Sequence, residues 1–163
     1  MANRPNEPDA SAASASAEAR RQFACPPARG RYEGIELEYL DPADLDERGI
    51  LIKAEHPELH KALRHGDDEI VISGQPMSPR LHIAMHEIVA NQLWDDDPAE
   101  VWETAERLVA LGYERHEVLH MLSSVVAREV WRTLDSGLPS DPARYVAALS
   151  ELPASYFALA AAT

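Results

Sequence analysis

The chain has 163 residues and a mass of 18.0 kDa, with 45% hydrophobic and 26% charged residues, the composition of a globular protein. Against 15 basic residues stand 28 acidic ones, and the net charge of −13 repels a nucleic-acid backbone or a bare anionic membrane. Cys25 is the sole cysteine, which excludes an internal disulfide and a cysteine-based zinc ribbon, and no run approaches the roughly 20 apolar residues of a membrane span.

Residues 1–30 mix Ala, Ser, Pro and charge without the apolar core of a secretory signal, so a soluble, cytoplasmic protein is expected. Bulky apolar side chains are nearly absent there, which predicts a disordered arm whose removal leaves the melting temperature nearly unchanged. Cys25, just before Pro26-Pro27, is expected to be exposed. A single helical domain is expected over residues 31–163. Ile35, Leu37 and Tyr39 alternate with Glu36 and Glu38, a period of two that predicts one short strand. Helix punctuation follows. Asp41-Pro42, Ser78-Pro79, Asp97-Pro98 and Asp141-Pro142 place a capping side chain before a proline at the first helical position. Asp97-Pro98-Ala99-Glu100 also reads as a capping box, and Gly66, Gly112 and Gly137 read as stops. The predicted helices span 42–54, 57–64, 79–94, 98–111, 114–135, 142–150 and 153–161, with a connector over 66–77 that holds Ile70-Val71-Ile72. The expected fold class is an all-α helical bundle with a short strand or hairpin near the N-terminus.

All seven histidines lie between His56 and His120, and six of them form three H-x-x-x-H pairs: His56/His60, His82/His86 and His116/His120. Random scatter would give roughly a quarter of one such pair. Residues four apart are neighbours on a helix face, so two imidazoles at this spacing can chelate one ion. Zinc, iron, nickel, cobalt and copper accept imidazole nitrogen, whereas calcium and magnesium prefer oxygen. On a helical wheel His82 and His86 fall roughly 80° to one side of the stripe Leu81, Met85, Ile88 and Val89. His116 and His120 are displaced in the same sense from Leu119, Leu122, Val126 and Val130. Asp95-Asp96-Asp97 and Gly112-Tyr113 are short links, which favour antiparallel neighbours. The helices over 79–94 and 114–135 therefore run the same way, and both histidine pairs fall at one end of the bundle. The third pair is less regular. Pro57 pushes His56 out of helical geometry, leaving His60 inside the first turn. This pair can add a ligand, with Glu58 as a carboxylate for a mixed dinuclear variant.

Other residues carry weaker signals. Gln92 lies on the apolar stripe of its helix and reads either as a group that orients a metal-bound imidazole or as an ordinary interhelical hydrogen bond. A zinc-protease H-E-x-x-H motif is assigned neither at His86-Glu87, where Ala90 stands in place of the second histidine, nor at His116-Glu117, whose next histidine, His120, is read as out of register. Glu87 and Glu117 are read as first-turn or surface charges. Asp95-Asp96-Asp97 reads as helix capping, and Trp94, Trp102 and Trp131 as packing residues. Ser123 and Ser124 lack a nucleophile-elbow context.

The ordered set His56-Pro57-Glu58 with His60, Leu81-His82-x-x-x-His86 with Gln92, and His116-x-x-x-His120 with Trp131 resembles a family of small bacterial proteins catalogued as a domain of unknown function. Gly137-Leu138-Pro139 with Tyr145 is similar to its C-terminal part. The resemblance covers roughly residues 41–150. It implies a mostly helical fold carrying the same histidines, and no activity.

The expectation is a transition-metal-binding helical protein, with zinc or iron held by His82, His86, His116 and His120. Four imidazoles with no open position would make a structural site or a store, whereas three with a water would make a catalytic one. Because protons compete for imidazole, a metal-dependent gain in stability is expected near pH 7.5 and much less near pH 5. The rival is an acidic helical interaction module, an adaptor whose histidine cluster is structural or senses pH. Substrate, protein partner and oligomeric state are left open.

Overall fold

The computed structural model describes residues 10–72 and 74–161. Ser78 and Asp141 start helices as their sequences predict. The Ser78 hydroxyl accepts from the Leu81 N–H ahead of α4 (Pro79–Asp95), and Asp141 accepts from the Ala143 and Arg144 N–H groups ahead of α7 (Pro142–Ser150). In front of α2 (Leu45–Ala54) the cap is Asp44 rather than Asp41, which instead holds a turn by accepting from the Ala43 N–H. The capping box predicted at Asp97-Pro98-Ala99-Glu100 does not form. There α5 (Glu100–Ala110) begins behind Ala99 without a side-chain cap. A capping box stands instead at the head of α6 (Arg115–Ser136), where Glu114 and Glu117 bond each other's backbone N–H reciprocally. Gly66 and Gly137 close their helices in the left-handed region, with φ of 75° and 66°.

Two hairpins interrupt the helices. β1 (Arg31–Tyr32) pairs with β2 (Ile35–Glu36), and a 3-10 turn over Leu37–Tyr39 ends the alternation that predicted one strand. The connector around Ile70-Val71-Ile72 is the antiparallel pair β3 (Ile70–Ile72) and β4 (Gln75–Met77). Between the hairpins, a 3-10 turn over Pro57–Leu59 runs into α3 (His60–His65), and the chain ends in α8 (Ala154–Ala161).

The disordered arm is corrected over residues 10–25. Ala10–Ala24 form a helix, α1, that packs along α4, while residues 1–9 lie outside the described residues. Its order comes from polar anchoring as much as from apolar burial. Arg20 donates to the Leu93 carbonyl and, at 2.8 Å, to the Trp94 carbonyl, and pairs with Asp96 at 3.3 Å. The guanidinium thus satisfies the C-terminal end of α4, where carbonyls lack intrahelical partners. Arg115 does the same for α1, donating to the carbonyls of Phe23 at 2.6 Å and Ala24 at 3.1 Å. Phe23 meets Trp102 edge to face, and Cys25 is buried rather than exposed. Burial pushes the Cys25 thiol up to about 11, so it stays protonated.

α4 is the central helix, packed by α1, α2, α3, α5 and α6. Val89 and Leu93 from α4, Leu108 from α5, and Val118 and Leu122 from α6 are fully buried at the bundle centre. A smaller cluster of Cys25, Tyr32, Leu37 and Leu51 joins it through Trp94. α4 and α6 pack side by side, which sets where their histidines go.

Candidate metal centre

His82 and His86 stand one turn apart on α4, and His116 and His120 one turn apart on α6. The packing of the two helices brings the pairs together: His82 lies 5.2 Å from His120 between ring centroids, and His86 lies 5.3 Å from His116 and 5.0 Å from His120. The fifth ring is His56. Pro57 holds it outside the following turn, at φ −117° and ψ 64°, and this bend delivers the ring into the bundle. His56 is fully buried, 5.0 Å from His82, 4.5 Å from His86 and 5.1 Å from His116.

The contacts have a definite connectivity. His56, His82, His120 and His116 form a closed ring of neighbours, and His86 touches all four. That is a square pyramid with His86 at the apex. All eight edges measure between 4.4 and 5.3 Å, set by His116–His120 and His86–His116. An ion bound through Nε2 at about 2.1 Å stands roughly 3.2 Å from a ring centroid, so two rings sharing it at about 90–109° lie roughly 4.5–5.2 Å apart. Six of the eight observed spacings fall in that range, and the 4.4 and 5.3 Å edges lie just outside it. Ligand nitrogens lie within 4.8 Å of one another in two triads, His56/His82/His86 and His86/His116/His120, which share His86.

The nitrogens that face one another are free. Nε2 of His56, His82, His86 and His120 is buried without a hydrogen-bond partner. For His56 the tautomer follows from geometry. Nδ1 lies 2.8 Å from the Ile52 carbonyl, which can only accept, so Nδ1 carries a proton and Nε2 is the nitrogen left to bind an ion. Burial, helped by repulsion from neighbouring imidazoles, pushes His82 down to about 4, His86 to about 2 and His120 to about 4. His116 is lowered for the same reasons, with Glu55 and Glu58 opposing the shift. Clustered imidazoles whose buried Nε2 atoms lack partners could hold a transition-metal ion.

The remaining candidates lie elsewhere. His60 is turned away: its Nε2 donates to the Lys53 carbonyl at 2.9 Å, and its ring packs against Tyr32, tilted by 58° at 4.6 Å. Glu58 is exposed, belongs to neither triad, and acts on His116 and His120 through its charge alone. Gln92 accepts from the Tyr145 hydroxyl at 2.8 Å, tying α4 to α7. It is six residues beyond His86, roughly 9 Å along the helix, so of its two expected roles the structure shows the interhelical one. The rejection at His116-Glu117 is corrected: His116-Glu117-Val118-Leu119-His120 does have the H-E-x-x-H spacing. Its glutamate is committed elsewhere: Glu117 is exposed and accepts from the Glu114 N–H at 3.1 Å in the capping box. Glu87 is half-buried beside Gly49 and pairs with Lys53 at 3.7 Å. No glutamate of either pair is placed as a general base.

One residue that sequence reasoning dismissed belongs beside the cluster. Ser123, one turn after His120, has a buried hydroxyl oxygen without a partner. Its neighbour Ser124 donates back to the Met121 carbonyl at 2.7 Å, the ordinary habit of a helical serine. The i, i+3 spacing from His120 was legible, but a search for a nucleophile ignores it.

Residues 18–151 match a family model described as "Domain of unknown function (DUF1841)", and the chain belongs to that family. No curated protein and no solved structure matches it.

Proposed function

We propose that this protein binds a transition-metal ion, zinc or iron, among His56, His82, His86, His116 and His120. One observation carries the reading: four buried imidazole nitrogens in a single cluster have no hydrogen-bond partner. Buried polar atoms are nearly always paired, and each unpaired one costs about 1–3 kcal/mol. A shared cation satisfies all of them together when each ring carries its proton on Nδ1, as the Ile52 carbonyl arranges for His56. Protonating the rings instead would place like charges about one ring apart, which their lowered pKa values oppose. This also weighs against a histidine cluster that senses pH near neutrality, because rings held neutral down to about 4 do not titrate there.

In this reading His86 is the common ligand, and His56 arrives with its proton already held on Nδ1 by the Ile52 carbonyl. That second contact fixes ring orientation and raises the basicity of Nε2. The test is elemental analysis of untagged full-length protein. About one metal ion per chain is expected. Protein that contains none, and takes up none on dialysis against zinc or ferrous iron, overturns the proposal.

A further inference from the structure

A cavity of about 450 Å³ opens onto one face of the histidine cluster, between β4, α4, α6 and α8. His82, His86 and His120 form its inner end. Its walls are mostly apolar, with Leu81, Met85, Ala127 and Tyr156, while Ser78 and Ser124 also line it, and among the described residues no Lys, Arg, Asp or Glu does. Ser123, a residue 8% exposed, also lines it, and its buried hydroxyl has no partner. It is an open, mainly apolar groove with a few polar groups at its inner end, a form that suits a small ligand seated against the cluster.

We infer that this cavity seats a small monocarboxylate with an apolar tail, its carboxylate directed to the metal centre and to Ser123. The inference rests on the metal reading and adds an exogenous ligand to it. The head group follows from charge. Neutral imidazoles leave the charge of a divalent ion uncompensated in a buried site, and an anionic donor offsets it. The chain's net charge of −13 opposes a polyanion, and the cavity offers no cationic side chain to neutralise one. A single carboxylate is the simplest head that meets both conditions. Ser123 can donate to its second oxygen, which gives the orphaned hydroxyl a partner. The tail follows from the walls: Leu81, Met85, Ala127 and Tyr156 reward apolar surface and leave a polar tail unsatisfied.

The experiment uses full-length protein loaded with cobalt(II), whose visible bands report changes at the ion. Benzoate probes head and tail together, and acetate probes the head alone. Benzoate should perturb the bands saturably and bind at least ten-fold more tightly than acetate. Ala127→Trp fills the chamber, and should weaken benzoate at least ten-fold while changing acetate by less than two-fold. Leu81→Trp places a similar obstruction at a residue 54% exposed, so it serves if the first variant misfolds. Ser123→Ala should weaken both acids by three-fold or more. Bands that ignore benzoate, or tryptophan variants that bind it like the parent, overturn the cavity assignment and leave the metal reading intact. Failure to take up cobalt overturns both.

Discussion

His86 is the residue on which the site turns. It is 2% exposed, touches all four other imidazoles and belongs to both ligand triads. Replacing it with Met keeps the volume roughly constant and removes an unpaired polar atom. His86→Met should therefore lose metal uptake, yet leave the melting temperature of metal-free protein unchanged or a few degrees higher. His60→Ala is the contrast: its ring is spent on Lys53 and Tyr32, so metal uptake should stay at the parental level. Calorimetric melts and metal content of the two variants decide this. The same residues set the acid response of the metal-free fold. His82 and His120 have folded pKa values near 4, below the unfolded value of about 6.5. The unfolded chain thus binds more protons in this interval, and stability should be complete above about pH 6.5 and fall as the pH drops towards 4. A His82→Gln/His120→Gln double variant should show a shallower decline of melting temperature over that range. Equal slopes would mean that the two rings do not carry the linkage.

Among the elements, α1 separates what was legible in the sequence from what was not. The starts of α4 and α7 were legible because Ser78 and Asp141 act on N–H groups within three residues. α1 was not, because its anchors are remote: Arg20 reaches carbonyls 73 and 74 residues away, and Arg115 reaches back 91 and 92 residues to α1. A window that counts bulky apolar residues sees an Ala/Ser-rich arm and misses both. Pro98 misled in the opposite direction, since Asp97 precedes a proline in a capping pattern and still does not cap α5. Removing residues 1–24 should thus lower the melting temperature, not spare it. Arg20→Ala, which strips two carbonyls and Asp96 of their partner, should cost about 2 kcal/mol, or about 4–8 °C. Thermal melts of the two proteins check both. An unchanged midpoint would return α1 to the status of an appendage.

At the scale of the whole molecule, the convergence of the α4 and α6 pairs was legible from topology, because two short links force the helices to run alike. His56 could be named but not placed, since a proline tells where a ring cannot be and not where it goes. The assembled cluster revises the expected pH dependence of metal binding. Rings already neutral at pH 5 offer their lone pairs without first releasing protons. Zinc at 100 times its Kd should raise stability by about 2.7 kcal/mol. That increment should persist at pH 5.5 and vanish near pH 4. Its disappearance already at pH 6 would show that the ligands carry protons in the fold.

His56 and His82 bracket the stretch that holds α3 and the β3–β4 hairpin, where Val71 is 69% exposed. With an ion gripping both ends, peptide continuity across that stretch becomes redundant for holding the molecule together. A chain cut once in the hairpin should then behave as two fragments clasped by a metal: co-eluting when zinc is present, and parting more readily when a chelator removes it. The ion would serve the nicked protein as a reversible, non-covalent splice between its N-terminal and C-terminal pieces.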